Sequence, residues 1–475
     1  MFGPRIMRFM IHQARLICSL LTFIVFLGGS THALAASQTT APVSPSTATG
    51  SPESSPLATS GYFSARYVFR SAETASLEHF RDQDVFGELR VDVTSPRSGK
   101  YEFHFLGTVR SDLDGNQDVQ TYDPLEDIGN TVEGKTFSTL YEARLDINHP
   151  TASLTQIRLG RQAGTRDEEI TFDGIAVDVR PAQNVNMTLY GGGAVNFYEI
   201  NGGQGTDLLG GAGIDYTPSA GTGLSLDYLR VSDKRNYLGF TDQKNSLLSF
   251  RLWQRITQNV KATAKVRYQD GETRDLALRL LGTFPEAATE FGAVYFRQFS
   301  TQLEQANELS PFTDVMGASY PFQTVDLKLR KFFGTRYAVD LGYSTRKVLE
   351  SANIGDFNRD FERASAAFTV SDLLFANLSI TASGDRWTSD ADEFFSGGAD
   401  VTYAFKRIGR LSIGTYYSLY KYDNVYQLEE HDRVRTYYVS TRLPIMKQFS
   451  LNGSYELEKG VDEFRVVKAG IRYDF

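Results

Sequence analysis

Apolar and polar residues alternate along most of the chain after Gly61. The alternation is clearest in five segments, where every second residue is apolar and its neighbours are mostly polar: 85–93, 101–106, 260–268, 325–330 and 449–457. A repeat of two residues is that of a β-strand with one apolar face, and the helical repeat of about 3.6 residues fits none of these segments. The pattern therefore predicts an all-β fold made of amphipathic strands.

The gaps between these segments alternate between short and long. The short gaps are predicted to be tight turns, at 95–99, 149–150, 181–184, 218–221, 257–259, 285–286, 334–335, 373–374 and 407–409. Longer polar gaps fall between them, at 71–84, 111–135, 194–206, 232–244, 300–320, 347–358 and 422–432. Such alternation is typical of an antiparallel up-and-down barrel, with turns at one end and loops at the other. Pairing the segments predicts about 22 strands, within a range of about 20 to 24.

Strands with one lipid-facing side have to pair in a ring, because lipid offers no hydrogen-bond partners to a free sheet edge. We therefore predict a transmembrane antiparallel β-barrel over residues 61–475, without a plug domain. The alternative is a soluble β-sandwich or solenoid, but the chain shows no repeat with shared side-chain identity. Aromatic residues make up 13% of the chain. The predicted members of aromatic girdles at the membrane interfaces are Tyr62, Phe103, Tyr190, Tyr343, Phe405, Tyr437 and Phe464.

The last eight residues, Lys468 to Phe475, form a short amphipathic strand with aromatic residues at its end. They resemble the C-terminal insertion signal of bacterial outer-membrane β-barrels, in which the assembly machinery reads a final strand that ends in Phe. The resemblance implies an outer-membrane location and contacts with lipid, lipopolysaccharide and the assembly machinery. It identifies the signal residues as Lys468, Gly470, Tyr473 and Phe475.

The first 36 residues are predicted to be a secretory signal peptide. Three arginines precede an apolar run from Leu16 to Leu27, and small residues for cleavage follow at 33–35. Residues 37–60 are rich in Ser, Thr, Ala and Pro and are predicted to be a disordered periplasmic linker, since they cannot bury enough apolar surface. The only cysteine, Cys18, lies within the apolar run, so the mature chain is expected to contain neither disulfides nor thiolate metal sites.

The chain is acidic, with 49 Lys and Arg against 57 Asp and Glu. Loss of the three arginines of the signal peptide would leave 46 against 57, a net charge of −11. An acidic exported protein is a poor candidate for nucleic-acid binding. Few histidines remain for catalysis, and the arrangement worth naming, His431-Asp432 beside two glutamates, is interpreted as a charged loop tip. We predict that the protein is not an enzyme.

The polar face of the strands contains a cluster of basic residues that we call the basic wall. It is predicted to line the pore and consists of Arg251, Arg255, Lys261, Lys265, Arg267, Arg279, Lys328 and Arg330. Acidic residues are expected elsewhere around the ring, at Glu88, Asp92, Glu102, Glu142, Asp146, Asp215, Asp227, Glu456 and Glu458. Opposed walls would orient polar solutes and favour anions on the basic side. The alternative is that these charges pair across neighbouring strands.

Two local motifs add candidate sites. The run Ile157–Gln162, followed by Phe172-Asp-Gly174, resembles a hairpin of specific porins, including those of the alginate-export type. This resemblance, which covers fewer than about twenty residues, implies that Arg158 and Asp178 face the pore. The acidic loop after residue 111 has the alternating oxygens of a calcium loop, with predicted ligands Asp112, Asp114, Asn116 and Asp118. It departs from the calcium pattern at Gln117, where Gly is expected, so a merely hydrated acidic loop remains the alternative.

Two functions fit a wide barrel without a plug. The first is a porin-like channel for diffusion of small hydrophilic solutes, with anions as candidates, and with the gaps 111–135 and 300–320 as constricting loops. The second is a sheath around a periplasmic partner protein, such as a multihaem cytochrome in an outer-membrane electron conduit. No cofactor of the barrel itself is expected apart from the candidate calcium ion.

Overall fold

A computed structural model describes the chain over residues 57–73, 79–95, 99–114, 125, 136–164, 170–195, 207–233, 243–301, 320–351, 360–389, 393–405, 409–418, 434–460 and 462–475. The predicted signal peptide and almost all of the predicted linker lie outside these ranges, as do Asn116, Asp118, His431 and most of the two long gaps named above. Within the ranges there is no helix long and apolar enough to cross a membrane.

The described residues form 22 strands that belong to one sheet. Their bounds are β1 Ala58–Glu73, β2 His79–Thr94, β3 Tyr101–Asp112, β4 Thr136–Asn148, β5 Leu154–Ala163, β6 Thr171–Ala182, β7 Val185–Ala194, β8 Leu208–Ser219, β9 Thr222–Asp233, β10 Gln243–Thr257, β11 Val260–Gln269, β12 Glu272–Phe284, β13 Thr289–Gln298, β14 Phe322–Phe333, β15 Tyr337–Val348, β16 Phe361–Ser371, β17 Leu378–Ser389, β18 Glu393–Phe405, β19 Gly409–Ser418, β20 Val434–Pro444, β21 Phe449–Lys459 and β22 Glu463–Asp474.

Each strand pairs antiparallel with the strands before and after it in the chain, and the last strand returns to the first. The β1–β22 register runs from Tyr62 opposite Asp474 to Glu73 opposite Glu463. Backbone hydrogen bonds of 3.0 Å in both directions between Gly61 and Phe475 extend this seam by one more pair. The sheet therefore has no free edge, and both the predicted fold class and the predicted strand number are confirmed.

The alternation of short and long connections is real but not strict. All nine predicted tight turns lie at one end of the barrel, which we call the turn end, and the opposite end is the loop end. The predicted long gap at 71–84 is wrong, because β1 continues to Glu73 and β2 begins at His79. Three further loop-end connections are also short, at 270–271, 390–392 and 460–462.

The connection at 270–271 is a two-residue hairpin turn that the gap pattern does not reveal. Asp270 and Gly271 have φ angles of 52° and 91°. Two successive positive φ angles match the primed turn whose twist fits a β-hairpin, and Asp-Gly is a preferred sequence for it.

The two faces of the ring differ in chemistry, as the alternation predicts. The outward face carries large apolar side chains that remain more than a third exposed, among them Leu159, Ile175, Leu189, Ile214, Leu226, Phe250, Leu278, Leu327, Leu341, Phe368, Val401, Ile413, Val439 and Leu451. The inward face carries most of the charged residues, and buried ones such as Asp84, Asp146 and Arg158 point inward. A contiguous apolar exterior of this kind suits contact with lipid rather than water.

The interior also contains an apolar cluster, which a strict rule of polar residues inside would not predict. Ile170 and inward residues of β6 to β10 pack together near the loop end, including Phe172, Ala176, Ala194, Leu209, Leu229, Val231 and Leu247. Tyr190 packs against this cluster, with its ring centroid 5.7 Å from that of Phe172.

Four of the predicted girdle residues face outward, as a girdle requires, and three face inward, where the prediction is wrong. Phe103, Tyr343, Phe405 and Tyr437 face outward and are more than a third exposed. Tyr62, Tyr190 and Phe464 face inward, because they pair with the inward residues Arg90, Ala176 and Glu458. The Tyr62 hydroxyl donates to Glu88 at 2.6 Å, a contact that a lipid-facing ring could not make.

Candidate functional site

The strand register places all eight residues of the basic wall on the inward face of β10 to β14. Arg251 lies opposite Lys265, and Arg255 lies opposite Lys261, so two pairs of cations face each other across β10 and β11. Lys328 and Arg330 follow on β14, opposite Gly292 and Glu290 of β13. Like charges that face each other across a strand pair repel. Such an arrangement is easier to maintain next to water or a counter-ion than in a dry core.

The basic wall is partly compensated by acidic residues on its own strands, in addition to the acidic residues predicted elsewhere around the ring, which lie on β2, β3, β4, β8, β9 and β21. The inward faces of the same strands also carry Asp275, Glu290 and Asp326, because these residues pair with Arg267, Arg330 and Val294. Arg267 Nε lies 2.8 Å from Asp275 Oδ1, and Arg330 Nε lies 2.6 Å from Asp340 Oδ1 on β15. The alternative of cross-strand pairing therefore holds for these two arginines.

Three cations of the basic wall form no ion pair within the part of the chain that the structure describes: Arg255, Arg279 and Lys328. The ammonium of Lys261 lies 4.8 Å from the centre of the Trp253 ring, a contact that leaves its positive charge uncompensated. The eight basic side chains of the wall face four acidic ones on the inward side of the same strands, Glu272, Asp275, Glu290 and Asp326, so this face keeps a net positive charge.

A cavity of 720 Å³ lies beside the basic wall and extends along the inward face from β12 to β19. Its lining includes the cations Lys328, Arg330 and Arg363, the acids Glu290, Asp340 and Asp385, and small residues such as Gly342, Ser365 and Ser383. The small side chains leave space in the cavity for a solute, while the charged side chains provide both positive and negative groups that can bind a polar one. The cavity can therefore hold a small hydrophilic molecule next to Lys328.

A second interior feature, which the sequence did not reveal, is a row of alternating arginine and phenylalanine at the seam of the ring. Arg66, Phe86, Arg110 and Phe137 lie directly opposite one another on β1 to β4. The guanidinium carbons of Arg66 and Arg110 lie 4.7 and 5.1 Å from the centre of the Phe86 ring. The row borders a cavity of 960 Å³. No single strand carries the alternation, so only the register could have identified it.

The hairpin that resembles specific porins places Arg158 and Asp178 on the inward face of β5 and β6. Arg158 is 6% exposed, and its Nη2 lies 3.0 Å from Asp178 Oδ2. Asp178 also accepts a hydrogen bond from Thr188 on β7, at 2.5 Å. The two residues form a partly buried ion pair with each other, and a role in a solute path stays a prediction.

The candidate calcium loop is only partly described. Asp112 ends β3, Asp114 follows it, and Asp82 of β2 lies beside them, with candidate ligand oxygens within 4.8 Å of one another. Burial, with a further contribution from Asp112, raises the pKa of Asp114 above its usual value. Arg70 already pairs with Asp82 and, at 2.9 Å, with Asp84. Calcium binding therefore stays a prediction, and Asn116 and Asp118 lie outside the described residues.

Three residues of the predicted insertion signal lie on β22, and Phe475 directly follows this strand. Lys468 and Gly470 face inward, opposite Val68 and Arg66, and Lys468 Nζ lies 3.9 Å from Glu456 Oε1. Tyr473 faces outward opposite Phe63, and its ring packs against Phe449 and Phe475 at centroid distances of 4.8 and 6.1 Å. Recognition of this strand by an assembly machinery stays a prediction.

Comparisons with known proteins give likenesses of fold only. No protein-family model matches the chain, and no curated protein matches it. The translocation pore of the P pilus usher PapC is 10% identical, over 87% of this chain and 99% of that chain, with a TM-score of 0.46. OccAB4 of Acinetobacter baumannii is 10% identical, over 88% and 98%, with a TM-score of 0.43. A BenF-like porin from Pseudomonas fluorescens Pf-5 is 10% identical, over 88% and 98%, with a TM-score of 0.42.

Proposed function

We propose that the protein is a channel of the bacterial outer membrane through which small hydrophilic solutes diffuse, with a preference for anions. The observation that carries the proposal is the contrast between the two faces of the closed ring, apolar outside and charged inside. A closed sheet satisfies every ladder hydrogen bond, so it can stand in lipid. Its strands of 10 to 16 residues are long enough to cross a bilayer at the usual tilt.

The preference for anions rests on the uncompensated cations of the interior. Arg255, Lys261, Arg279 and Lys328 carry no ion-pair partner among the described residues, and Lys328 lines the 720 Å³ cavity. A positive wall raises the local concentration of anions and lowers the electrostatic barrier to their passage. The acids that share these strands are too few to reverse the sign of the wall.

Planar-bilayer recording with the purified protein in a potassium chloride gradient tests the proposal. We expect discrete open channels and a reversal potential that corresponds to chloride being more permeant than potassium. An organic monocarboxylate should block the current more strongly than an uncharged sugar of similar size. A cation-selective pore would contradict the anion preference. The absence of any pore, together with a coloured protein that co-purifies, would instead support the sheath around a periplasmic partner.

A further inference from the structure

A histidine with two carboxylates lies on the inward face near the turn end of β2, β3 and β4. His104 of β3 is directly opposite Asp92 of β2, and its neighbour on the same face, Glu102, is directly opposite Asp146 of β4. His104 Nδ1 lies 2.6 Å from Asp92 Oδ1, a short hydrogen bond. This contact holds the imidazole ring in one orientation, and a proton on Nδ1 leaves a lone pair on Nε2.

The second nitrogen of His104 is buried and forms no hydrogen bond. Its nearest oxygens are Asp146 Oδ2 at 3.5 Å and Glu102 Oε2 at 3.6 Å, both too long for a normal hydrogen bond. A buried polar atom without a partner is uncommon and calls for an explanation. Asp146 is itself 2% exposed, so neither its carboxylate nor His104 Nε2 is simply turned towards bulk water.

The spacing of the three atoms suits a metal ion between them. Zinc binds histidine nitrogen and carboxylate oxygen at about 2.0–2.2 Å. Two ligand atoms 3.5 Å apart, each about 2.1 Å from a common ion, subtend about 113° at that ion, close to the tetrahedral angle. The candidate ligand atoms of Glu102, His104 and Asp146 all lie within 4.8 Å of one another. Small rotations of the carboxylates would complete a three-ligand site.

The charge around the histidine favours a divalent cation. Four carboxylates belong to this cluster, those of Asp92, Glu102, Glu142 and Asp146. Two guanidiniums pair with them: Arg90 Nε lies 2.9 Å from Asp92, and Arg144 Nε lies 3.0 Å from Asp146. The nearby Arg158 pairs with Asp178. With a neutral imidazole, the cluster keeps two negative charges.

We propose that Glu102, His104 and Asp146 bind a divalent first-row transition metal ion, with zinc as the best fit, and that Asp92 is a positioning residue for the imidazole. An imidazole nitrogen with two carboxylates suits zinc and its neighbours, whereas calcium and magnesium prefer oxygen ligands alone. A carboxylate that accepts the other ring N–H is the usual support of a metal-bound histidine. The bound ion joins β3 to β4 at the turn end, independently of any solute path.

The test uses the full-length protein, purified in detergent from outer membranes without a polyhistidine tag and stripped with a chelator. After equilibrium dialysis against Zn²⁺, elemental analysis should find one tightly bound zinc ion per chain, not displaced by millimolar Mg²⁺. The variant His104→Gln should lose it. The matched control His149→Gln changes a histidine in the turn between β4 and β5 and should keep it. Asp92→Asn should weaken binding by about 10–100-fold.

A second measurement needs no variant. Co²⁺ in place of zinc should give the intense visible absorption of a four-coordinate site, and Zn²⁺ should bleach it. Heat-modifiable gel mobility confirms that each variant is folded before its metal content is compared. A wild-type protein that binds no zinc, or a Co²⁺ spectrum of the pale octahedral type, overturns the proposal. Equal zinc content in folded His104→Gln does so as well.

Discussion

Gly160 and Gly174 face each other across β5 and β6 at a point where the backbones leave no room for a side chain. Gly160 has a φ of 113°, a conformation that residues with a side chain rarely adopt. A Cβ atom there would collide with the carbonyl of Ala143 on β4, and one at Gly174 would collide with Gly191 and Gly192 on β7. The lack of room for a side chain accounts for the glycines of the short porin-like motif, which the ion pair between Arg158 and Asp178 does not explain.

We predict that Gly160→Ala lowers the free energy of unfolding by about 1–3 kcal/mol, because alanine would have to hold a strained φ or displace β4. The measurement is the urea midpoint of the protein in detergent, followed by heat-modifiable mobility. The matched control is Gly210→Ala on β8, where a new Cβ would meet only the Tyr190 carbonyl at 3.8 Å. Equal midpoints for both variants would contradict the proposed role of Gly160.

The motif shows how far single residues could be predicted from the sequence. The sequence, through its resemblance to a porin hairpin, implied that Arg158 and Asp178 face the pore, and the register places both on the inward face of β5 and β6. It could not show that the two residues pair with each other. It also missed His104, although Glu102 and His104 are two residues apart on one strand, because Asp92 and Asp146 come from other strands.

At the scale of strands, substitutions in the basic wall test the assignment of the inward face, and substitutions among the outward apolar residues test the assignment of the lipid-facing side. Alternation along β14 puts Lys328 and Arg330 inside and Leu327 and Leu329 outside, and the register to β13 and β15 agrees with this assignment. A residue on one face of a strand can therefore serve as the control for its neighbour on the other face, since a change of charge should affect ion permeation on the inward face and stability in lipid on the outward face.

We predict that the double variant Arg279→Ala, Lys328→Ala lowers the permeability ratio of chloride to potassium several-fold. A unit charge about 4 Å from an ion in water contributes about 1 kcal/mol, so the loss of two charges should be measurable as a shift in reversal potential. The control is Lys331→Ala, which removes a cation from the outward face of the same strand, where Lys331 donates to the Ala287 carbonyl. A ratio unchanged in the double variant would contradict the role of the wall.

On the outer face, we predict that Leu327→Arg destabilises the barrel by about 2–4 kcal/mol, the cost of an arginine near the middle of a bilayer. Leu327 is 44% exposed on the side assigned to lipid. Ser383→Arg is the control, because Ser383 faces inward and lines the 720 Å³ cavity close to Asp385. Urea titrations in lipid vesicles measure both. Equal losses would mean that the two faces have been assigned incorrectly.

At the scale of the whole molecule, the sequence was sufficient for the architecture. The strand number followed from the count of amphipathic segments. The fold class followed because each strand in lipid needs a hydrogen-bonded neighbour on both edges, which a closed ring supplies. The girdle was less predictable: Tyr62 and Phe464 point inward because alternation, and not aromatic character, sets the face. Interior pairing and the apolar cluster around Phe172 depend on register across strands, which a linear pattern does not contain.

Closure of the ring between β1 and β22 is the claim on which the proposed channel depends most directly, because only a closed ring encloses the inward face. The predicted mature chain has no cysteine, so engineered pairs report on this seam alone. Ala65 and Ile471 lie directly opposite each other across the seam. Opposed residues of antiparallel strands have Cα atoms about 4.5–5.5 Å apart, a separation that a disulfide can bridge.

The most direct measurement is therefore oxidative cross-linking of Ala65→Cys, Ile471→Cys in isolated outer membranes, read on non-reducing gels. A closed ring predicts a nearly complete disulfide within a single chain, of monomeric size and reversible by reductant. The control pair Ala65→Cys, Val467→Cys moves the second cysteine four residues along the same face, opposite Phe69, and should stay reduced. Cross-linked dimers in place of the monomer, or equal cross-linking of the two pairs, would contradict the closed barrel.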